Sequence, residues 1–589
     1  MTLAPETTVP RDPQDRRLAL RATGVLRTFN DADVLTAADV HVATRLGALG
    51  GEGQEQVLLA VALATRAVRL GSVCLDLATA EGSVPPPEGG ALPWPDAEAW
   101  AEAVTASPLV AAGALRWEHD LLYLDRYWQQ EVQVCADLVA RRALAPPPVD
   151  VAVLDTGIGR VFPDHGYDEQ RSAVRRAVLG WTTVLTGGPG TGKTTTVAGL
   201  LALLAEQAEL TGGRPRVALA APTGKAAARL QEAVRTEAAR LPAADSARIA
   251  GLEASTLHRL LGSRRDNGTR FRHHRGNRLP HDVVVVDETS MVSLTMMARL
   301  LEAVRPDARL LLVGDPDQLA SVDAGAVLAD LVSGLAGDDG PVAALRTNHR
   351  SQAHIIALAE ALQRGDADAA LVELAAGSDE VLFLTDEDPT PALRVPVLDA
   401  ALAIREAALA GDARAALDAL DRHRLLCAHR DGPFGVRRWN RLVEEWITEA
   451  TGDPLWDLWY PGRPVLVTAN DYGLGVHNGD VGVTVVGPDG RLRVYVDGAT
   501  GLLEFAPTRL DDVETMHAMT IHKAQGSQAD EVTVLLPGED SRLLTRELFY
   551  TAVTRARSTV RVVGTEESVR AATERRALRA TGLRHRLQS

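Results

Sequence analysis

Lysine is nearly missing from this chain of 589 residues: Lys193, Lys225 and Lys523 are the whole set, and the other 59 of its 62 basic residues are arginines. A broad guanidinium does not replace a compact ammonium inside a tight phosphate cradle. The three exceptions therefore mark positions where phosphate, or backbone close to phosphate, is met at short range. Each stands in a segment rich in Gly, Thr, Ala or Gln: GGPGTGKTTT, APTGKAAARL and TIHKAQGSQ. Cysteine is scarce too. Cys74, Cys135 and Cys427 are odd in number and far apart, which excludes a disulfide framework or a CxxC metal site and fits a reducing cytosol. Aromatics make up 4% of the chain, so Ala, Leu and Val carry a composition that is 46% hydrophobic. No apolar run reaches the roughly 18 residues of a membrane span. The polar start MTLAPETTVPRDPQDRR has no signal core, and a cytoplasmic location is expected.

Positive charge is also in deficit. With a net charge of −16 the chain is no generally basic binder, so any nucleic-acid contact has to be a local channel. Residues 1–150 hold 12 Arg against 20 Asp plus Glu, and no DNA contact is expected there.

What is present falls into three parts. Residues 1–150 read as a mainly helical domain, with helical periodicity over Val57–Leu70, a loop at Val84–Pro95 and a linker at Ala145–Pro148. Over 160–340, apolar runs at Thr183–Thr186, Arg216–Ala221, Val283–Val286 and Leu310–Val313 alternate with helical stretches. Such runs suit strands buried on both faces of a parallel sheet. A Gly/Asp-rich break at Gly334–Pro341 ends this unit. A second α/β unit over 341–589 has expected strands at Val381–Leu384, Leu425–Ala428, Val532–Leu536 and Val560–Val563. Inside it, over 461–510, the runs Val465–Val467, Val481–Val486 and Leu492–Val496 are separated by turn signals and predict a small inserted antiparallel barrel.

The chemistry is concentrated in a few motifs. Gly187-Gly188-Pro189-Gly190-Thr191-Gly192-Lys193-Thr194 fits GxxxxGK[ST], with a strand before it and a helix, starting Thr194-Thr195, after it. Backbone N–H groups of such a loop surround phosphates, Lys193 would reach the β- and γ-phosphates, and the Thr194 hydroxyl would bind Mg²⁺. VVVV-Asp287-Glu288 ends a strand in two acids. Asp287 would hold Mg²⁺, and Glu288 would orient or deprotonate a water, which suggests ATP hydrolysis. Gln318, in VGDPDQL, is placed to meet the γ-phosphate or that water. Gln170 can read both an adenine amino donor and a ring acceptor. Arg350 and Arg555, which open and close the second unit, are candidates for an arginine supplied across a cleft.

In this order, the motifs Gln170, GGPGTGKTTT, APTGKAAARL, STLHRLLG, VVVVDETSM, VGDPDQLASV, TNHR, TIHKAQGSQ and YTAVTRAR resemble superfamily 1 helicases, most of all the RecD branch, over about residues 165–589. The resemblance implies two RecA-like P-loop domains with an SH3-like insertion in the second. It implies ATP- and Mg²⁺-dependent 5′ to 3′ translocation on single-stranded DNA. It also implies a place beside RecB-like and RecC-like subunits in a helicase–nuclease (exonuclease V) for double-strand break repair by homologous recombination. Residues 1–150 would dock on a partner, and nuclease chemistry would belong to a partner. By the same resemblance Pro222, Thr223, Lys225 and His258 would grip DNA on the first domain, and Thr520, His522, Lys523 and Gln525 on the second. The alternatives are a stand-alone or conjugative helicase of this branch, or a structural subunit regulated by ATP. Arg264–Arg278, with six arginines and two histidines against one aspartate, is a local positive patch expected to be disordered without a ligand.

Overall fold

The computed structural model describes residues 17–588 except 85–89, 265–266, 338–339, 350–351, 387, 472 and 499–500; the side chains of 267–269 are also outside it. Its centre is a six-stranded parallel sheet with the spatial order Val342–Leu345, Thr182–Gly187, Arg309–Gly314, Val283–Val286, Val217–Ala221 and Ala254–Thr256. The continuous apolar runs are explained by two-sided burial. Val284, Val286, Leu310 and Leu312 belong to one hydrophobic cluster, while Val283, Val285, Leu311 and Val313 belong to another on the opposite face.

A second sheet, also parallel, runs Val381–Leu384, Ala556–Val563, Ala529–Leu535, His423–Cys427 and Ala518–Thr520. Between its members lies a five-stranded antiparallel sheet ordered Gly501–Phe505, Leu492–Gly498, Val481–Val486, Pro464–Val467 and Val513–Thr515. Val483 and Val485 face the core of the second parallel sheet, and Val465, Val467, Val494 and Val496 form a cluster of their own. Period-two patterning therefore serves two cores from one inserted element.

Three boundaries differ from the sequence expectation. The break at Gly334–Pro341 falls one strand early, because Val342–Leu345 pairs with Thr182–Gly187 as an edge of the first sheet. The N-terminal part is helical around the buried helix Glu55–Arg69 but also carries an antiparallel sheet of Leu75–Asp76, Leu121–Leu124 and Leu115–Glu118. The end of the chain leaves the second domain. Leu583 and Leu587 enter the first domain's core, and the buried Glu131 accepts hydrogen bonds from Thr581 Oγ1 (2.9 Å), Gly582 N (3.0 Å) and Arg586 Nε (3.3 Å). A carboxylate buried beside Tyr123 needs donors, and the tail supplies them. The N-terminal part is itself packed on the first domain through Asp125–Arg142, where the amide nitrogen of Gln133 donates to Ala298 O at 2.9 Å. No helix of the described residues is long and apolar enough to cross a membrane.

Candidate active site and nucleic-acid interface

The strand Thr182–Gly187 delivers the chain to a loop that ends at the helix Lys193–Glu209. Gly190 and Gly192 lie at φ +85° and +83°, a backbone that side-chain-bearing residues rarely adopt. A Cβ on Gly187 would stand 2.5 Å from Thr191 Oγ1 and 2.8 Å from Leu345 O, so the loop closes only with glycine there. The Lys193 ammonium folds back onto the loop, donating to the carbonyls of Gly187 and Gly188, the latter at 2.8 Å. Burial lowers its pKa, while Asp315, Asp287 and Glu288 act in the opposite sense.

Two strand ends bring acids to the same place. Asp287 follows Val283–Val286, and its pKa is raised by burial and then by the neighbouring Glu288 charge. Glu288 sits at φ +50°, one of four non-glycine residues with positive φ among those described, and the only one of the four in this site. Backbone held in that region is strained and is retained where surrounding structure demands it. Asp315 follows Arg309–Gly314. Its buried carboxylate accepts from Gln318 Nε2 at 3.0 Å and from the Tyr550 hydroxyl at 2.9 Å, and burial raises its pKa.

Tyr550 belongs to the second domain, so the Asp315–Leu319 loop is held from across the cleft. The Leu319 N–H donates to Thr551 Oγ1 at 2.8 Å, and Leu319 O accepts from Gln525 Nε2 at 2.7 Å. Gln363 joins in, donating to Asp317 Oδ2 at 3.0 Å and to the Tyr550 oxygen at 3.1 Å. Arg555, buried in the second domain, donates to Thr551 O (3.1 Å) and Ser527 O (3.3 Å). A cavity of about 170 Å³ is lined by Lys193, Thr194, Asp287, Glu288, Gln318 and Arg555, and also by Arg229 and Gln528, two residues that sequence reading did not single out. Thr195 follows Thr194, half-buried on the first helical turn.

Gln170 is fully buried. Its amide nitrogen donates to Thr191 O at 3.0 Å and lies 3.2 Å from the His349 ring, while its carbonyl oxygen Oε1 has no partner among the described residues. A buried acceptor left open beside a phosphate loop fits the amino group of a purine base. Arg350 lies outside the described residues. The residues just before it dock on the loop, with Asn348 Nδ2 donating to Pro189 O at 2.9 Å and His349 N to Gly190 O at 3.0 Å. Thr194 and Asp287 offer a hydroxyl and a carboxylate, hard oxygen donors of the kind Mg²⁺ takes alongside phosphate and water. Among the described residues no three His, Cys, Asp or Glu side chains cluster as a self-sufficient metal cage.

The expected strand-gripping residues do not share one surface. Thr223 follows Pro222 and caps the helix Gly224–Ala238, accepting from Ala226 N at 3.2 Å. Thr520 caps its own turn in the second domain, accepting from Lys523 N at 3.3 Å. Gly526, at φ +73°, brings that segment against the first domain: a Cβ there would be 3.3 Å from Ala226 Cβ. His258 packs edge-on against the buried Phe271, ring centroids 5.7 Å apart. His522 is half-buried, its pKa lowered by burial and by Arg579.

Three of the expected strand contacts, Gln525, Lys225 and Lys523, face other parts of the protein. Gln525 is buried and bonded to Leu319, a strut between domains. Lys225 opens into a cavity of about 600 Å³ between the domains, lined by Glu232, Asp421, Asp480 and Asp497, because the second position of its helix points toward the inserted sheet. Burial and Arg424 bring its pKa down to about 8. Lys523 is partly exposed, but its ammonium pairs with Glu514 at 3.0 Å. In the Arg264–Arg278 patch, 265–266 and the side chains of 267–269 lie outside the described residues, and the remainder packs on the protein. Phe271 is buried in the first domain's core, and Arg275 pairs with Asp137 of the N-terminal part at 2.9 Å.

Family models match an AAA domain over residues 170–324, a UvrD-like helicase C-terminal domain over 515–563, and the N-terminal domain of RecBCD enzyme subunit RecD over 31–123. The chain is similar to the RecBCD enzyme subunit RecD of Mycobacterium tuberculosis, 62% identical over 579 residues that cover 98% of this chain and 99% of that one. The RecD subunit of Mycolicibacterium smegmatis is 63% identical over 559 residues, 95% of this chain and 98% of its own. The ATP-dependent RecD2 DNA helicase of Deinococcus radiodurans is 34% identical over 494 residues, 82% of this chain and 61% of its own.

Proposed function

This chain belongs to the RecD family of RecBCD enzyme subunits, and from that premise we propose that it is the ATP-driven DNA motor of a RecBCD-type complex, working with RecB-like and RecC-like partners. The observation that carries the reading is the shared cavity. Lys193, Thr194, Asp287, Glu288 and Gln318 from one domain and Arg555 from the other line a single space. Such a site is complete only when the two domains are apposed, which is what couples hydrolysis to movement.

Each side chain then has one task. Lys193 leaves the loop carbonyls for the β- and γ-phosphates, and Gln170 offers its open Oε1 to the base. Thr194 and Asp287 would hold Mg²⁺, which when bound neutralises charge on the phosphate oxygens. Glu288 accepts the proton of the attacking water, and Gln318 orients that water. Arg555, joined by Arg350, stabilises charge on the transferring phosphoryl group from the second domain. Movement passes through the Asp315–Leu319 loop to Tyr550, Thr551 and Gln525. Thr223, His258, Thr520 and His522 contact the strand, joined by Lys523 when its ammonium leaves Glu514, with 5′ to 3′ direction as the resemblance implies. We read the inserted sheet as an SH3-like barrel and residues 1–150 as the partner-docking part.

The test is ATP turnover with and without single-stranded DNA for the wild type and Lys193→Gln. Strong stimulation of the wild type and none of the variant is expected, with the fold intact by circular dichroism. Unchanged turnover in the variant sinks the assignment. A tagged chain purified from its own cells is expected to bring two large RecB- and RecC-like chains with it.

A further inference from the structure

Arg229 stands one helical turn after Lys225 on Gly224–Ala238, the helix whose cap is Thr223. It lines the nucleotide cavity together with Lys193, Thr194, Asp287, Glu288 and Arg555. It also lines the adjoining interdomain cavity with Lys225, so it stands in the wall between the two. Burial pushes its guanidinium down to about 10, Arg555 pushes it further in the same direction, and Glu288 pulls it back. No acceptor among the described residues takes a hydrogen bond from it. Arg555 in the same cavity differs, since its N–H groups are taken by Thr551 O, Ser527 O and Thr554 Oγ1. Arg229 is half-buried, and a guanidinium with five donors and no protein acceptor is left open to one. Next to a phosphate loop, the natural complement is an anion that arrives with the substrate.

We infer that Arg229 is a catalytic residue, donating from the first domain to the terminal phosphoryl oxygens of the bound nucleoside triphosphate. The inference rests on reading this cavity as the ATP site. It assigns a second role to the helix Gly224–Ala238. Its first residues belong to the segment read as strand-gripping, and its next turn touches the nucleotide, so loss of the terminal phosphate frees the helix that carries Thr223. The negative charge on the transferring group is then met by two guanidinium groups, one fixed in the first domain and that of Arg555, which arrives with the second. The first reports the presence of the phosphate, and the second reports closure.

The experiment uses the full chain, alone and in its complex. Arg229→Gln and Arg229→Lys are compared with wild type for kcat and KM of DNA-stimulated ATP hydrolysis. Affinity is measured for a fluorescent ADP with and without aluminium fluoride, which mimics the transferring phosphoryl group. Arg229→Gln should lower kcat and weaken the aluminium fluoride complex by about a hundredfold, the usual effect of losing one preorganised donor to developing charge. ADP affinity should stay within about threefold, and Arg229→Lys should recover part of the loss as a point charge without the fork. Unaltered kcat and unaltered aluminium fluoride affinity would overturn the inference. So would an equal loss for ADP with and without aluminium fluoride, which would mean that Arg229 only supports the fold. Absence of DNA-stimulated hydrolysis in the wild type would instead refute the reading of the site itself.

Discussion

Removing one oxygen, in Tyr550→Phe, tests whether the two domains communicate through Asp315. The Tyr550 hydroxyl donates to Asp315 Oδ2 at 2.9 Å and accepts from Gln363 at 3.1 Å. Tyr550 is 1% exposed and Asp315 equally buried, so water does not replace the lost donor. A hydrogen bond to a charged group is worth roughly 1.5–3 kcal/mol, and a buried acceptor deprived of it keeps its desolvation penalty. Taking about 2 kcal/mol for the apposed state, the competent population and kcat for DNA-stimulated hydrolysis fall by up to about thirtyfold. KM for ATP changes little, because Tyr550 holds the Asp315–Leu319 loop and is not among the residues proposed to meet phosphate. The hydroxyl also holds the Asp315 pKa down against burial. Its removal moves that pKa further up, so the acid limb of the rate profile shifts toward higher pH. A double-mutant cycle with Asp315→Asn isolates the pair. A coupling energy below about 0.5 kcal/mol, within the error of additive sites, together with wild-type kcat, would refute the claim that Asp315 carries the contact.

Three further outcomes are expected. Gln170→Ala removes the open acceptor at Oε1 and should raise KM for ATP about tenfold or more while leaving GTP nearly unaffected, a selectivity that competition kinetics measure. Arg555→Lys keeps a charge but loses the fork, and should lower kcat by about a thousandfold with ADP binding intact; a loss confined to ADP binding would count against a role in the transition state. Burial pushes the His517 imidazole down to about 3 and that of His423 down to about 4. The unfolded chain takes up these protons below about pH 6.5 and the folded chain does not, so stability is full above that pH. It falls by about 1.4 kcal/mol per pH unit for each imidazole as the pH drops toward the folded values. Thermal melting at pH 7 and pH 5 checks the sign, and His517→Gln, whose amide can still donate to the Tyr460 hydroxyl in place of the ring nitrogen 2.8 Å away while that hydroxyl donates to Glu444, should flatten the dependence.

The parts of this fold legible in the sequence are those whose cause is local. Val283–Val286 reads as a central strand because both its faces are buried, and the loop before Lys193 reads as a tight turn because its glycines, at φ +85° and +83°, stand where only glycine sits easily. The hairpin Leu115–Leu124 escapes notice because its two-residue turn is His119-Asp120, both with positive φ, where Asn-Gly would have announced it. Val342–Leu345 escapes because an edge strand of four residues takes its identity from the partner strand. Return of the tail depends on Glu131 meeting Arg586, a contact far apart in sequence that no local pattern encodes.

The lysine bias, in turn, holds two kinds of information. It singles out Lys193, which faces the loop that would hold phosphate. Lys225 and Lys523 instead face carboxylates, Asp421 and Asp480 in one case and Glu514 in the other. In the interdomain cavity, burial pushes the Lys225 ammonium down to about 8. The same bias hides Arg229, because one arginine among 59 carries no statistical mark. Only the cavity it lines, and the acceptors it lacks there, distinguish it from the rest.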